Sequence, residues 1–274
     1  MLAVCATPIG NLEDVTLRVL RELTEADVVL CEDTRHTRVL LDRHGIAARL
    51  VSYHRHNEAA RVAELLPRLR AGERMALVSD AGMPGVNDPG ARLVAAALEA
   101  GVQVTVLPGP SAVETALVAS GLVGERYTFL GYLPRGEKAL AALWSELAAA
   151  PDPVVAFESP RRLPATLRSL AAALPERAVA VCRELTKRFE EVARGPARDI
   201  AARFFEPPKG EITLVVGGST AGAAGEDDAA EADALQAMSE LVGAGVPRRQ
   251  AADVVARLTR VSRNTLYSKS LQSG

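Results

Sequence analysis

The chain has 274 residues, of which 48% are apolar, and a formal net charge of −2. That length suits two domains, or one domain with an appendage, built around a sizeable core. The charge excludes a globally basic nucleic-acid binder, although not a local basic face, and an aromatic content of 4% disfavours a platform that stacks RNA bases.

The three cysteines, Cys5, Cys31 and Cys182, are far apart in sequence. They have neither the spacing of a metal site nor that of a disulfide framework, which suits a reducing compartment. No apolar run approaches the roughly 18 residues of a membrane span, and the N-terminus lacks the pattern of a signal peptide. The sequence therefore predicts a cytoplasmic protein with no structural metal and no membrane partner.

The first half alternates short apolar runs with helical patterns. Strands are predicted at residues 2–6, 27–31, 49–52, 75–78 and 102–107. The helices between them have candidate N-caps in Thr16, Asn57, Asp88 and Ser111. Pro89 suits the first helical position after Asp88, and Pro67 should bend or shorten its helix. Near-continuous apolar strands alternating with helices predict an α/β fold, an open parallel sheet covered on both faces.

Polar clusters follow every one of these strands, at residues 8–11, 32–38, 54–58, 80–88 and 108–111. The loop at 79–90 is longer than a plain strand-to-helix connection needs, and its glycines allow the backbone to approach a ligand closely. Parallel sheets bind ligands beyond the carboxyl ends of their strands. Five clusters on one edge therefore predict a binding cleft.

The second half restarts with a strand at 127–132, and its strands are less regularly separated by helices, which predicts a mixed sheet. We expect an N-terminal α/β domain at 1–121, a second α/β domain at 122–218, a flexible linker at 219–233 and a helical, helix-turn-helix-like tail at 234–274. The tail's short helices are predicted at 234–242, 247–258 and 264–271. Its basic residues, Arg248 and Arg249 among them, suit either nucleic-acid contact or a solvated face of a packing appendage.

Several chemistries lack their motifs. The sequence has no G-x-G-x-x-G after the first strand, no P-loop lysine signature, no H-E-x-x-H, no C-x-x-C and no G-x-S-x-G. Loops rich in glycine, proline and small polar residues suit backbone recognition of a zwitterionic ligand that carries adenosine without phosphates.

The ordered motifs resemble the RsmI family of 16S ribosomal RNA cytidine 2′-O-methyltransferases, within the tetrapyrrole-methylase superfamily. The resemblance covers residues 2–216 and is carried by residues 7–14, 32–35, 54–58, 79–84, 88–90, 107–112, 158–162, 183–187 and 209–211. It implies a two-domain α/β fold, S-adenosylmethionine as cofactor, a homodimer, and a ribose 2′-hydroxyl in the decoding region of 16S RNA, within the 30S subunit, as methyl acceptor. Met83, Tyr132 and Arg161 depart from the usual Thr, Phe and His.

Residue by residue, the resemblance implies eleven cofactor contacts. These are Pro8, Asp80, Ala81, Gly82, Pro84, Val86, Ser111, Ala112, Phe157, Glu158 and Thr213. Turn and packing chemistry would account for the glycines and prolines equally well one by one. Their joint placement on one edge favours binding.

The ribose hydroxyl is a weak nucleophile that needs alignment, deprotonation or both. We hypothesise Asp33 or His56 as general base and Arg35 as a positioning residue. Arg35, Arg161, Arg183 and Lys187 are the candidates for holding RNA phosphates. Each has a structural alternative. Asp33 could pair with Arg35 or cap a helix, one of His54 and His56 could hydrogen-bond structurally, and Glu158 could bridge to Arg161 or Arg162.

Two other functions stay open at this point. A tetrapyrrole C-methyltransferase would need a large apolar pocket floor without basic surroundings, which the arginine-rich motifs argue against. A non-catalytic factor that binds ribosomal RNA would not need the two cofactor loops, at 80–84 and 108–112.

Overall fold

The computed structural model describes residues 1–219, 221–259 and 261–270, with backbone only for 221–231. The described residues form two compact units: residues 1–144 with 153–217, and residues 145–152 with 218–274. The first unit holds two five-stranded sheets, one in each of the two α/β domains that the sequence predicts. The division into domains stays a prediction.

The first sheet is wholly parallel, as predicted, with strand order β3-β2-β4-β1-β5. Its strands are β1 Leu2–Cys5, β2 Val28–Cys31, β3 Leu50–Ser52, β4 Met75–Val78 and β5 Val104–Leu107. The inner strands β1, β2 and β4 are buried along their whole length because both faces of the sheet are covered. The carboxyl ends of all five strands therefore meet at one edge.

Four helices cover this sheet: α1 Leu17–Glu25, α2 Thr34–Arg43, α3 Glu58–Arg70 and α4 Ala91–Glu99. The next helix, α5 Ala112–Ser120, packs instead against the second sheet through Val113, Ala116 and Leu117. One face packs against α1 and α2 through residues such as Leu23 and Leu41. The opposite face packs against α3 and α4 through residues such as Leu65 and Leu93. Apolar residues at helical spacing on each of these helices produce the two layers.

The second sheet is mixed, as predicted, with strand order β6-β7-β10-β8-β9. Its strands are β6 Thr128–Tyr132, β7 Val154–Glu158, β8 Ala178–Arg183, β9 Glu191–Pro196 and β10 Ile212–Val216. Only β6 and β7 are parallel. Helices α6 Glu137–Leu147, α7 Leu163–Ala173 and α8 Ala197–Arg203 complete this half.

Two helix predictions are wrong in detail. Helix α4 begins at Ala91 and not at Asp88, because Gly90, with φ of 136°, takes the position before the first helical residue. Helix α3 is not shortened at Pro67 and continues to Arg70, although Pro67 lacks a backbone N–H and so removes one hydrogen bond from the helix; a bend at Pro67 stays a prediction. The first of these shifts leaves the Asp88 side chain outside the helix.

The second unit contains α9 Ala221–Gly243, α10 Arg248–Leu258 and α11 Arg263–Ser270. These helices pack around buried Ala234, Met238, Ala252, Val255 and Leu266. A helix thus covers most of the segment whose composition predicts a flexible linker, because alanine, abundant there, is the strongest helix former. Leu271, the predicted end of the last helix, lies outside the described residues. No helix in the described part of the chain is long and apolar enough to cross a membrane.

Candidate functional site

A cavity of about 830 Å³ lies at the carboxyl edge of the first sheet and is closed on its other side by the second sheet. Its first wall comes from the loops after all five strands of the first sheet, and its second from β6, β7, β8 and β10 with their loops. The described residues that decide its chemistry are Ile9, Glu32, Arg55, Asp80, Gly82, Met83, Val86, Asp88, Leu130, Phe157, Cys182 and Thr213. Its size and mixed lining are those of a small-molecule site.

The loop after β4 is tied to the loop after β1. Thr7 and Gly82 exchange two backbone hydrogen bonds, N to O distances of 2.9 and 3.0 Å, across an antiparallel bridge. Gly82 has φ of 78°, a conformation that side chains with a Cβ disfavour. The buried Thr7 hydroxyl also donates to the Ser79 carbonyl at 3.0 Å. These bonds fix the floor of the cavity between two adjacent strands.

The loop after β3 holds the far end of the same long loop. Glu58 Oε1 accepts hydrogen bonds from Tyr53 Oη at 3.1 Å and from Gly90 N at 3.0 Å. Arg55 Nη2 donates to the Asn87 carbonyl oxygen at 2.5 Å. The polar cluster at 54–58 therefore positions the loop that lines the cavity, and Arg55 itself reaches the lining.

Three carboxylates, Glu32, Asp80 and Asp88, line the cavity and influence one another's charge. Burial, and then the charges of Glu32 and Asp80, raise the pKa of the Asp88 carboxyl to about 6. Burial, and then the charge of Asp80, also raise the pKa of Glu32. The side chains of Glu32 and Asp88 make no hydrogen bond or ion pair with the described residues, whereas Asp80 Oδ1 accepts from Asp33 N at 3.1 Å. This cluster suits a cationic ligand.

The second wall is mostly apolar. Phe157 packs edge-to-face against Phe129 and Tyr132, with ring centroids 5.1 and 5.7 Å away. Burial raises the pKa of the Cys182 thiol to about 11. Cys182 is therefore protonated at neutral pH and is not poised to act as a nucleophile.

The predicted cofactor residues come together in the structure. All of them except Pro8 and Pro84 line the cavity: Asp80, Ala81, Gly82, Val86, Ser111, Ala112, Phe157, Glu158 and Thr213. Pro8 and Pro84 are buried beside lining residues and shape the loops. The sequence predicts that Ser111 caps α5. In the structure its hydroxyl donates to Glu114 instead and makes no cap hydrogen bond.

Glu158 has the structural partner that the sequence left open. Its side chain is fully buried, and its carboxylate accepts from Ser159 N at 2.6 Å and from Thr166 Oγ1 at 2.7 Å. Arg162, not Arg161, forms the ion pair, at 3.2 Å. These bonds occupy the carboxylate and hold the end of β7 against α7.

The three residues predicted as catalytic, Asp33, Arg35 and His56, do not line the cavity. Asp33 caps α2 by accepting from Arg35 N at 2.8 Å, and it pairs with the Arg35 guanidinium, also at 2.8 Å. These bonds to Arg35 lower the pKa of Asp33 to about 2, so Asp33 is a very weak base at neutral pH. Both structural alternatives stated for Asp33 thus occur together.

His56 is exposed, and its ring lies edge-on to His54, with centroids 5.9 Å apart. His54 takes the structural position, since its backbone N donates to Asn57 Oδ1 at 2.8 Å and its Nε2 lies 3.3 Å from Asn57 Nδ2. His56 therefore stays outside the cavity lining, which its neighbour Arg55 reaches.

The residues predicted to hold RNA are scattered. Arg183 pairs with Glu191 at 2.8 Å, and Lys187 pairs with Glu184 and Glu211 at 3.0 and 2.9 Å, so their charges are already balanced. Arg161 is exposed. In the second unit, Arg248 donates to the Ser270 carbonyl at 2.9 Å, and Arg249 is exposed.

Sequence reasoning missed Glu32 and Asp88 as site residues. Glu32 directly follows β2, and this position at the carboxyl end of a buried strand was a usable signal. Asp88 was assigned instead to a helix cap that Gly90 displaces. Among the described residues, no group of three or more His, Cys, Asp or Glu side chains is arranged to hold a metal ion.

The family model of the tetrapyrrole (corrin/porphyrin) methylases matches residues 1–201. Among solved structures, the methyltransferase CobJ is similar with a TM-score of 0.61 and 20% identity, over 80% of this chain and 94% of its own. This likeness shows the fold.

Among curated proteins, the chain is similar to ribosomal RNA small subunit methyltransferase I of Mesorhizobium japonicum, at 43% identity over 99% of this chain and 91% of that protein. It is 40% identical to the protein of the same name from Escherichia coli O157:H7, over 99% of this chain and 94% of that protein.

Proposed function

The chain belongs to the tetrapyrrole (corrin/porphyrin) methylase family, and we propose that it transfers a methyl group from S-adenosylmethionine to the 2′-hydroxyl of a cytidine in small-subunit ribosomal RNA. The observation that carries the proposal is the cavity at the carboxyl edge of the first sheet, with its acidic cluster. The names of the relatives, with identities of 40% or more over nearly the whole chain, supply the RNA substrate.

The cavity fits this methyl donor. S-adenosylmethionine carries a sulfonium and an ammonium against one carboxylate, so it is a net cation. Asp80 and Asp88 supply negative charge in a partly buried site, where an attraction is stronger than in water. Apolar side chains, Ile9 and Leu130 among them, supply surface for an adenosine. The volume of about 830 Å³ is ample for a ligand of this size.

S-adenosylmethionine, when bound, supplies a methyl group that a nucleophile can displace from sulfur without a metal. The ribose oxygen forms the bond to the methyl carbon while the carbon–sulfur bond breaks, and the electron pair of that bond stays on sulfur. The proton of the ribose hydroxyl must be accepted by a base, and holding the two reactants in line supplies much of the rate.

We propose Glu32 as that base. Its carboxylate lines the cavity and makes no hydrogen bond or ion pair with the described residues, unlike Asp33 and Glu158. Its raised pKa makes it a stronger base than an ordinary carboxylate. The proposal replaces Asp33 and His56, which lie outside the lining, and it leaves Asp80 and Asp88 to attract the donor.

The test is a methyl-transfer assay with labelled S-adenosylmethionine and 30S subunits that lack the modification, followed by digestion of the RNA to nucleosides. Label in 2′-O-methylcytidine is the expected result. Donor binding by calorimetry without label in RNA would point to another acceptor, a tetrapyrrole first. If neither label nor donor binding is observed, the remaining candidate is an RNA-binding factor without methyl-transfer activity.

We also propose that the chain acts as a cytoplasmic homodimer. The edge strand β5 pairs only with β1 in its sheet, and its Val106 is 54% exposed, so an apolar sheet edge is open to a second copy. The three buried cysteines are free thiols, as a reducing compartment allows. Light scattering checks the assembly, since a mass of one chain, 28.9 kDa, would contradict it.

A further inference from the structure

A second hollow, of about 450 Å³, lies between α2 and the edge strand β3 of the first sheet. It is lined by Thr34, Arg35, Arg38, Ala48, Arg49 and Leu50. Three of its six lining residues are arginines, and none of the six is acidic. The proposed function has not used Arg38 or Arg49.

The fold places these arginines together from two directions. Arg35 and Arg38 are three residues apart on α2, so they lie on the same side of that helix. Arg49 directly precedes β3, the edge strand of the sheet, next to α2 in the fold. Ala48 and Leu50 form the floor between them.

Two of the three guanidinium groups of this hollow are unpaired. Arg38 and Arg49 are exposed, and neither side chain makes an ion pair or hydrogen bond with the described residues. Asp33 engages Nε and Nη2 of Arg35 and so holds that guanidinium in place, while the side chain stays 90% exposed. Elsewhere in the first unit, Arg68, Arg74, Arg183 and Arg203 each pair with a glutamate.

A short stretch of the chain connects the lining of the donor cavity with the lining of the hollow. Glu32 lines the cavity and Thr34 lines the hollow, and two residues separate their Cα atoms by at most about 7 Å. A strand whose phosphates lay in the hollow would therefore lie close to Glu32.

We propose that Arg35, Arg38 and Arg49 form a binding site for the phosphodiester backbone of a single RNA strand, and that this site delivers the acceptor ribose to Glu32. The proposal rests on the proposed function for the identity of the polyanion. Arginine forks match phosphate oxygens in geometry as well as in charge. Contacts of this kind position a nucleic acid without reading its sequence.

The experiment compares two double variants. The hollow variant carries Arg38→Ala and Arg49→Ala, and the matched control carries Arg18→Ala and Arg21→Ala. The control removes the same charge from two exposed arginines of α1, outside both cavities. The readouts are affinity for a short fluorescent single-stranded RNA across a salt series, donor affinity by calorimetry, and methyl transfer to 30S subunits.

We expect the hollow variant to bind the RNA at least about tenfold more weakly, with the slope of log K against log salt reduced by about 1.4, since each lost contact to single-stranded RNA removes about 0.7. Donor affinity should stay unchanged, and the control should behave like the wild type. The Arg38→Lys with Arg49→Lys variant should recover part of the affinity, because it restores the charge without the fork.

Equal loss in the control, or RNA affinity unchanged in the hollow variant, would overturn the proposal, as would a wild type that does not bind the RNA. The outcomes separate it from the proposed function. If methyl transfer to 30S subunits survives both alanine substitutions, the proposed RNA site is wrong and the proposed methyltransferase activity stands. If the hollow variant binds RNA more weakly than the wild type but neither protein labels RNA, the RNA site stands and the methyltransferase activity is wrong.

Discussion

Two neighbouring carboxylates at the end of β2 have opposite environments. Glu32 points into the cavity, where burial raises its pKa, and Asp33 turns toward Arg35, which lowers its pKa to about 2. A carboxylate that must accept a proton near neutral pH is a more effective general base when its pKa is raised. The chemistry of the site therefore depends on side-chain direction at two consecutive residues.

We expect Glu32→Gln to lower the rate of methyl transfer by about 10² to 10⁴, the usual contribution of a general base. Asp33→Asn should change the rate by less than about threefold, because Asn also caps a helix well. Single-turnover rates measured over an acidic to neutral pH series with saturating donor would check both, and the fall of rate on acidification should be lost in Glu32→Gln.

Donor affinity, measured by calorimetry, is the control for the same pair of variants. A small change in Glu32→Gln, against a large loss of rate, identifies a step after binding. Rates that fall equally in both variants, or only in Asp33→Asn, would contradict the assignment and return the base to Asp33.

The sequence predicts the position of the cavity better than the roles of its residues. Asp80, Gly82 and Ser111 could be assigned to one edge because strand ends in a parallel sheet meet there. The direction of Asp33 could not be chosen, since an acid before a helix can cap it, pair with an arginine or face a ligand. Contacts such as that between Arg55 and Asn87, 32 residues apart, depend on how the loops pack.

At the scale of elements, two loops hold the halves of the cavity together. The loop after β1 contacts the loop after β8, where Asn11 N donates to Thr186 Oγ1 at 3.0 Å. Gly10 lies against this second loop, and a Cβ there would be 2.5 Å from Lys187 Cγ and 3.0 Å from the Leu185 carbonyl oxygen. The neighbouring Ile9 and Leu185 line the cavity.

We expect Gly10→Ala to weaken donor binding and to destabilise the protein by about 1–3 kcal/mol, the usual cost of overpacking. A methyl group there must push the loop at 184–187 away, and Leu185 moves with it. Calorimetry of donor binding and thermal unfolding would measure the two effects.

Gly195→Ala is the matched control, because its Cβ would meet Ile200 at 3.6 Å, an ordinary contact. That variant should bind the donor like the wild type. Wild-type affinity in Gly10→Ala would show that the contact between the two loops does not shape the cavity.

The errors in predicted elements have local causes. Asp88 and Pro89 form a good helix start in isolation, yet the contact of Gly90 N with Glu58, on another element, sets where α4 begins. Residues 219–233 have the composition of a linker, but their alanines also favour the helix that the structure shows. Composition alone does not separate these two outcomes.

For the whole molecule, the charge is unevenly distributed. A net charge of −2 conceals an acidic cluster at the donor cavity and an arginine hollow beside it. A cationic donor and a polyanionic substrate thus have separate, complementary surfaces within one fold. RNA binding through so few cations should be sensitive to salt, but less so than binding by a globally basic protein.

The acidic cluster makes the stability of the whole protein depend on pH. Folding raises the pKa of Asp88 from 3.8 to about 6, so the folded state holds this proton more tightly than the unfolded state. Its contribution to stability is therefore fully present below about pH 4 and is lost as the pH rises through about 6. Without a bound cation, the ionised cluster destabilises the fold at neutral pH.

We expect Asp88→Asn, without donor, to be more stable than the wild type at pH 7.5 by about 1 kcal/mol, or about 2–4 °C in Tm. A rise of the pKa from 3.8 to about 6 would correspond to about 3 kcal/mol in a fully buried group, at ~1.4 kcal/mol per pKa unit. We expect less because Asp88 is half-buried and solvent screens its charge. The advantage should vanish near pH 4, where Asp88 is protonated in both states.

At pH 7.5 the same Asp88→Asn variant should bind S-adenosylmethionine more weakly, since one attractive charge is gone. Thermal unfolding and calorimetry across pH 4–8 measure both effects, with the exposed Asp42→Asn as control. A stability gain that persists at pH 4, or unchanged donor affinity at pH 7.5, would contradict this role of Asp88, in which its ionised carboxylate destabilises the fold and attracts the cationic donor.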